Sequence, residues 1–330
     1  MKLLVVILNY RVADLTIECL RSLSSELANV AGSRAVVVDN GSGDDSVERL
    51  RQAIMAHGWD AWVELVTLSR NLGFTGGNNR IVRTAMASLD PPQYVLLLNA
   101  DTLTTADAIS RLVRFMDEHP RAGIAGTRLE FADGRPQGSP FRFPSMASEF
   151  DRGLGIGVIS RWLANRAGSP AKPLTAHEVD WVAGASMIIR REVIDTLGLL
   201  DERFFAYFED TDYCLNARRA GWSTWYVPES LIIHFEGSSS GIGSEKKGRL
   251  PAYWFQARRW FFLKNYGAVY AALVDAAFLL GCTLGWLRRT IQRKRNPNPS
   301  HFIVDFMSHS VLLTGFKAES GALNQTGRHL

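Results

Sequence analysis

The sequence predicts an α/β protein: a mostly parallel central sheet with helices on both faces. Three observations carry this. Short apolar runs alternate with helical patterns through the first 120 residues. Each run is continuously apolar, which buries both faces of a strand. Polar residues follow each run, at the strand ends where ligands sit in such sheets.

The elements follow in order. Residues 3–8 form a first strand; the run is too short for a signal peptide and lacks a small-residue cleavage site. A helix over 14–23 has Asp14 as its N-cap. A second strand spans 35–38, with a helix from about 44. The third strand, 63–68, is followed by a helix over 78–88. Between them Gly73, Gly76 and Gly77 match neither GxGxxG nor a P-loop and read as a tight turn around Arg70 and Asn71. A fourth strand spans 94–98, with a helix over 105–118. A strand over 122–131 precedes an Asp133-Gly134 turn. Residues 150–175 have no clear period and read as loop or short helices. Strand-rich 179–189, a helix over 209–220 closed by Gly221, strands at 224–227 and 231–235, and two helical segments within 247–295 complete the chain.

Composition narrows the function. Over 330 residues, 37 Lys+Arg stand against 33 Asp+Glu, a net charge of +4. With 46% hydrophobic and 21% charged residues the chain is neither disordered nor collagen-like. Cys19, Cys214 and Cys282 form no CxxC pair, which argues against a disulfide framework or structural zinc and suits a reducing compartment. The densest basic run, Arg288, Arg289, Arg293, Lys294 and Arg295, directly follows an apolar stretch. It points to a membrane surface and not to nucleic acid.

Four strand ends deliver polar residues to one edge: Asn9 and Tyr10; Asp39, Asn40, Gly41 and Ser42; Ser69, Arg70 and Asn71; Asn99, Ala100 and Asp101. Asp39 alone fits a helix cap as well as a ligand contact, but the four together describe a crevice. Asp101 can hold a hard divalent cation that bridges two phosphates, or cap the next helix. His234, at the end of an apolar strand, suits a structural role or a metal; with Asp101 it forms a mixed O/N set fitting Mn or Mg. The acids Glu209, Asp210 and Asp212 either complement a helix N-terminus or supply a general base.

With these motifs in order, the chain resembles a family 2 glycosyltransferase of the GT-A fold, in its rhamnosyltransferase-like branch. The resemblance covers about 1–240. It rests on Val6-Ile7-Leu8-Asn9-Tyr10, Val38-Asp39-Asn40-Gly41-Ser42, Asn71-Leu72-Gly73-Phe74 with Gly76-Gly77-Asn78-Asn79, Leu98-Asn99-Ala100-Asp101, and Phe208-Glu209-Asp210-Thr211-Asp212. It implies a catalytic domain over 1–240, with a nucleotide half to about 120 and an acceptor half over 121–240. A helical, membrane-associating region follows over 241–330. Asn9 and Tyr10 would line the nucleotide pocket, and Asp39 would bind the pyrimidine. Arg70 would lie by base or ribose and Asn99 by the ribose, with Asn71 and Ala100 in the same site. Asp101 would hold the metal, His234 would be a second ligand, and Asp210 would be the base with Glu209 beside it. Trp181, Gly184 and Ala185 match a segment near donor sugar and acceptor. Asn99 replaces the first carboxylate of the family's acidic triad, and Arg80 stands where a small residue often follows Asn79.

The implied activity is inverting transfer of L-rhamnose from dTDP-rhamnose to a glycan or lipid-linked acceptor, with Mg or Mn. A UDP-hexose donor, a glycoside hydrolase and a non-catalytic sugar-nucleotide or polysaccharide binding module are the alternatives. A peripheral place on the inner face of the cell membrane is expected, and an oligomer is compatible. Residues 267–287 are almost wholly apolar, with Asp275 inside. They are about long enough to span a bilayer, but a central Asp costs roughly 2.5–3.5 kcal/mol there. An interfacial helix is favoured over a span or a soluble packed helix. Upstream, Trp254, Phe255, Phe261 and Phe262 interleave with Arg258, Arg259 and Lys264, which suits an interfacial helix too.

Overall fold

A computed structural model describes residues 1–138, 142–155, 175–235, 249–294 and 298–315. The chain divides into two units. The first comprises Met1–Phe143, Gly168–Asp201 and Glu209–Gly248; the second comprises Pro144–Ala167, Glu202–Phe208 and Arg249–Leu330.

The first unit is built on strands β1 (Leu3–Asn9), β2 (Ser33–Asp39), β3 (Val63–Thr67), β4 (Tyr94–Asn99), β5 (Thr102–Thr104), β6 (Ala122–Glu130), β7 (His177–Val179), β8 (Ser186–Arg190) and β9 (Ser223–His234). They lie in the order β3-β2-β1-β4-β8-β6-β9-β5, with β7 also on β9. Strands β1 to β4 are mutually parallel, and β8 is antiparallel to β4 and β6. Alternate side chains of β1 explain its unbroken apolar run. Leu3, Val5 and Ile7 enter one core, and Leu4 and Val6 enter the other. The first core also takes α1 (Ala13–Ala28), α2 (Ser46–Ala56) and α4 (Ala108–Glu118); the second takes α3 (Gly73–Met86), α6 (Arg191–Leu197) and α7 (Glu209–Arg219). Between them in sequence, α5 (Met146–Leu154) belongs to the second unit.

Several local expectations are corrected. Helix α3 starts at Gly73, not near Asn78. Gly73 opens it with a left-handed φ of 73°, while Gly77 serves packing: a Cβ there would come within 2.5 Å of Leu8 Cδ1, so glycine lets the helix lie close against β1. Asp14 is not the N-cap of α1; Val12 is, with no side-chain bond. Asp101 does not cap the next helix, α4. The buried Glu26 carboxylate does so from α1, accepting Asp107 N–H at 2.9 Å and Ile109 N–H at 3.1 Å. The two C-terminal strands form one, β9, whose register on β6 jumps between Val227 and Leu231. All three cysteines are buried and free. The stretch 156–174 and the Gly/Ser loop 236–248 lie outside the described residues.

In the second unit, α5 begins with a capping box between Ser145 and Ser148. Helix α8 (Ala252–Ile291) breaks at Gly267, whose φ of 81° is left-handed. Arg258 Nη1 lies 2.6 Å from Asp275 Oδ1, seventeen residues away. A straight helix would separate them by about 25 Å, so α8 is an antiparallel hairpin of two limbs. Asp275 is buried: one oxygen meets Arg258, and the other accepts Ser310 Oγ–H (2.7 Å) and Val311 N–H (2.8 Å), where α10 (Val311–Thr314) begins after α9 (Phe302–His309). Arg258 Nε also donates to Glu149 Oε2 of α5 at 2.8 Å. Phe255, Phe261, Phe262 and Arg258 of the first limb are buried, so that part of its aromatic and basic pattern is interior packing, while Trp254 and Arg259 are half-buried and Lys264 is exposed.

Removing one partner of a buried ion pair leaves an uncompensated charge. Asp275→Ala is therefore expected to destabilise the protein by about 3–5 kcal/mol in urea unfolding. A loss under about 1 kcal/mol, the range of a surface pair, would contradict this placement.

Candidate active site

The ends of β1 and β2 form a closed polar network. Asn9 and Asp39 pair in register and are buried. Asn9 Nδ2 donates to Asp39 Oδ1 (2.8 Å), and Asn9 Oδ1 accepts Thr16 Oγ–H (2.8 Å). Asp39 also accepts Ser42 N–H (3.1 Å) and Oγ–H (2.5 Å). The carboxylate thus shapes the loop that follows it. Gly41, at φ 70°, lies so close to the Arg70 backbone that a Cβ would meet it at 2.4 Å. Asn40 Nδ2 reaches Asn71 Oδ1 (3.0 Å), and Asn40 Oδ1 accepts Leu72 N–H (3.0 Å). Tyr10 is half-buried beside the Arg11 guanidinium, and Arg70 is exposed.

At the end of β4, Ala100 and Asp101 are buried and Asn99 is half-buried. Strand β5 leads away antiparallel to β9 and sets Thr102 opposite His234. Asp101 Oδ1 is buried, has no hydrogen-bond partner among the described residues, and faces His234 Nε2 at 3.4 Å. Asn99 Nδ2 approaches the same Nε2 at 3.3 Å. The other side of the ring meets a residue that sequence reasoning missed. Gln137 Oε1 accepts from His234 Nδ1 at 2.8 Å, while Gln137 Nε2 donates to the His234 carbonyl at 2.5 Å. That amide orientation makes Nδ1 the donor to Gln137 and turns Nε2 toward Asp101. The second ring nitrogen and an orphaned carboxylate oxygen therefore converge on one point. Both are donor types that a hard or borderline divalent cation takes, and no third His, Cys, Asp or Glu joins them among the described residues.

Asp210 lies at the start of α7. Its Oδ2 accepts Gly184 N–H at 3.0 Å, and Oδ1 accepts Thr211 N–H at 2.6 Å. The next residue, Ala185, accepts Asn99 N–H at 2.9 Å. Two consecutive backbone groups therefore link the acid to the loop bearing Asp101. A Cβ on Gly184 would meet Phe74 of α3 at 3.1 Å, so glycine also keeps this junction close. The Trp181 indole donates to the Arg142 carbonyl at 2.9 Å. Arg80 is exposed, and Asn79 instead ties α3 to Leu200 through both its amide atoms.

Burial, and then the neighbouring Asp210 charge, push Glu209 well above the ordinary carboxylate range. Burial raises Asp210 too, opposed by the N–H groups of Gly184 and Thr211. Glu209 Oε2 has no hydrogen-bond partner among the described residues. Of the two, Glu209 is pushed further toward its neutral form, while the N–H groups of Gly184 and Thr211 favour the charged form of Asp210. A cavity of 410 Å³ beside Arg121, Asp180, Arg218 and Trp222 lies at the opposite end of β9, and none of the candidate site residues lines it.

Known proteins now bear on this geometry. The profile of the family described as glycosyltransferase like family 2 matches residues 2–262. The chain belongs to this family. A relative from Mycobacterium tuberculosis, an N-acetylglucosaminyl-diphospho-decaprenol L-rhamnosyltransferase, is 27% identical over 230 residues, covering 66% of this chain and 71% of its own. Rhamnosyltransferase WbbL of Escherichia coli is 27% identical over 169 residues, 49% of this chain and 61% of its own. GalNAc-T7, solved with UDP, GalNAc and Mn2+, superposes with a TM-score of 0.59 at 17% identity, over 94% of this chain and 58% of that one. The mannosyltransferase PcManGT from Pyrobaculum calidifontis, solved with GDP-Man and Mn2+, gives 0.54 at 15%, over 96% and 81%. The fold of this family 2 glycosyltransferase is GT-A, as its motifs imply.

Two measurements check the site. Glu209 binds its proton more tightly folded than unfolded, so its contribution to stability is present below 4.5, its ordinary value, and is lost as pH rises through the raised folded value. Glu209→Gln is therefore expected to match the wild-type melting temperature at the acid end of its stability range and to exceed it increasingly toward pH 8 and above, by roughly 1 kcal/mol or more. A pH-independent difference contradicts the raised value. Separately, nitrogen-15 NMR is expected to find His234 as the Nδ1–H tautomer in the wild type and as a mixture in Gln137→Met; an Nε2–H wild type contradicts the assignment.

Proposed function

We propose that this family 2 member is an inverting, metal-dependent glycosyltransferase. It moves L-rhamnose from dTDP-rhamnose to a hydroxyl of a glycan or lipid-linked acceptor in cell-surface polysaccharide synthesis. One observation supports it above the rest: the Gly184–Ala185 backbone joins Asp210 to the loop where Asp101 and His234 converge. The rhamnosyltransferase relatives support the donor sugar.

Asp101 Oδ1 and His234 Nε2 would hold Mg or Mn. The cation supplies positive charge where the nucleoside diphosphate leaves. Asp210 accepts the acceptor hydroxyl proton as that oxygen attacks the anomeric carbon. The bond to the diphosphate breaks on the opposite face, and configuration inverts. The raised proton affinity of Asp210 makes it a stronger base than an exposed aspartate. Glu209, protonated, avoids a second charge beside it. Asn9, Tyr10, Asp39, Arg70, Asn71, Asn99 and Ala100 form the nucleotide side; Trp181 and Gly184 form the sugar and acceptor side. Residues 1–240 act as the catalytic domain, in nucleotide and acceptor halves that meet near 120. Residues 241–330 place the enzyme peripherally on the inner face of the cell membrane.

A UDP-hexose donor is the second reading, favoured by the UDP bound in GalNAc-T7. A non-catalytic binding module is disfavoured, because such a module has no use for two adjacent buried acids with raised proton affinity.

A thermal-shift panel of nucleotide sugars with and without Mn2+ tests the donor and metal. dTDP-rhamnose with Mn2+ is expected to stabilise by about 2.7 kcal/mol at a hundredfold excess over Kd, and Asp101→Ala to abolish the shift. Asp210→Asn should keep that shift but lose about 10²–10⁴-fold in transfer rate. Normal turnover by Asp210→Asn would falsify the base assignment; stabilisation by UDP-hexoses alone selects the second reading.

A further inference from the structure

The second limb of α8 is apolar on two sides. Ala271, Val274, Phe278, Gly281, Cys282 and Gly285 are buried within their own unit. Gly281 and Gly285 meet the backbone of α5 directly; a Cβ on Gly281 would lie 2.2 Å from the Phe150 carbonyl oxygen, and one on Gly285 2.7 Å from that of Leu154. The opposite side is also apolar, yet exposed: Val269 (75%), Leu273 (52%), Leu280 (55%), Leu284 (41%), Leu287 (49%) and Ile291 (75%). At about 100° per residue, these six fall within roughly 60° of one another. They make a stripe about 33 Å long. A soluble amphipathic helix shows polar residues there, and an uninterrupted apolar face of this kind marks an interaction surface.

Charge identifies the occupant. From 268 to 294 the one acid is Asp275, which is buried, while Arg288, Arg289, Arg293 and Lys294 close the limb. Arg293 and Lys294 are exposed, as is Trp286 at 58%. An apolar stripe followed directly by exposed cations matches the boundary of an anionic bilayer. The limb cannot cross that bilayer as a lone helix. Met146 N–H donates to Tyr270 Oη (3.1 Å), and the Arg288 guanidinium donates to the Gly155 carbonyl (2.8 Å). Helix α5, with Glu149, Asp151 and Arg152, thus packs on the middle of the buried side.

We infer that this stripe is an in-plane docking face for an anionic phospholipid surface, held flat by α5 and anchored at its end by Arg293 and Lys294. The inference deepens the peripheral-membrane part of the proposed function and rests on that part, while it is independent of the donor.

Vesicle flotation of the full chain tests it, with phosphatidylcholine alone and with added phosphatidylglycerol. The wild type is expected to float with the anionic vesicles and far less with the neutral ones. Leu273→Glu/Leu280→Glu/Leu284→Glu should lower flotation at least about tenfold, with its melting temperature and its donor-induced thermal shift retained. Arg293→Glu/Lys294→Glu changes no packed residue and should weaken binding to anionic vesicles selectively, which keeps the test open if the triple variant does not fold. Equal flotation of wild type and variants overturns the inference. So does a wild-type dimer, seen by light scattering, that does not float and that the triple variant converts to monomer, since a second copy would then cover the face. Loss of the donor shift with flotation intact counts instead against the transferase reading.

Discussion

The backbone of two adjacent residues holds the candidate active site together. The N–H of Gly184 binds the Asp210 carboxylate, and the carbonyl of Ala185 binds the Asn99 amide at the end of β4. Strand β8 begins at the next residue and pairs antiparallel with β4. The sheet therefore fixes the height at which α7 presents its acid relative to the loop bearing Asp101. Any side chain at Gly184 would press on the Phe74 ring. The spacing of Asp210 and the loop bearing Asp101 is thus set by backbone hydrogen bonds, which are less adjustable than side-chain contacts.

The electrostatics follow from burial. Asp101, Asp210 and Glu209 leave water when the sheet closes, and each is answered differently. Asp210 gains backbone N–H donors, Glu209 is pushed toward its neutral form, and Asp101 Oδ1 is left beside His234 Nε2. An unanswered buried carboxylate oxygen is costly, and a cation there would remove that cost. The second unit shows the opposite solution, where Asp275 is answered in full by Arg258, Ser310 and the Val311 N–H. An acid that would oppose membrane insertion is instead the cross-link of a helical hairpin.

Much of this was legible in the chain. The four parallel strands and their polar ends follow from unbroken apolar runs such as 3–8, because a buried strand admits few residue types. The acids 209–212 announced a helix start. Other features carry no local signal. Gln137 sits beyond a turn, and only folding brings it to His234, ninety-seven positions away. Glu26 caps a helix that begins more than eighty residues later. Gly77 looked like part of a turn because its role, close approach to Leu8, belongs to another strand.

By itself the sequence determined the fold class, the strand ends at which the polar residues gather, and which residue types stand there. These depend on period and on local chemistry, both of which a single chain displays. The tertiary structure decided which groups meet. It set the proton on His234 Nδ1, gave Asp210 its donors, and turned an apolar stretch of spanning length into the second limb of a hairpin with an exposed face. Each of these depends on contacts between residues far apart in sequence, and the energies of such contacts arise only when packing removes the water between them.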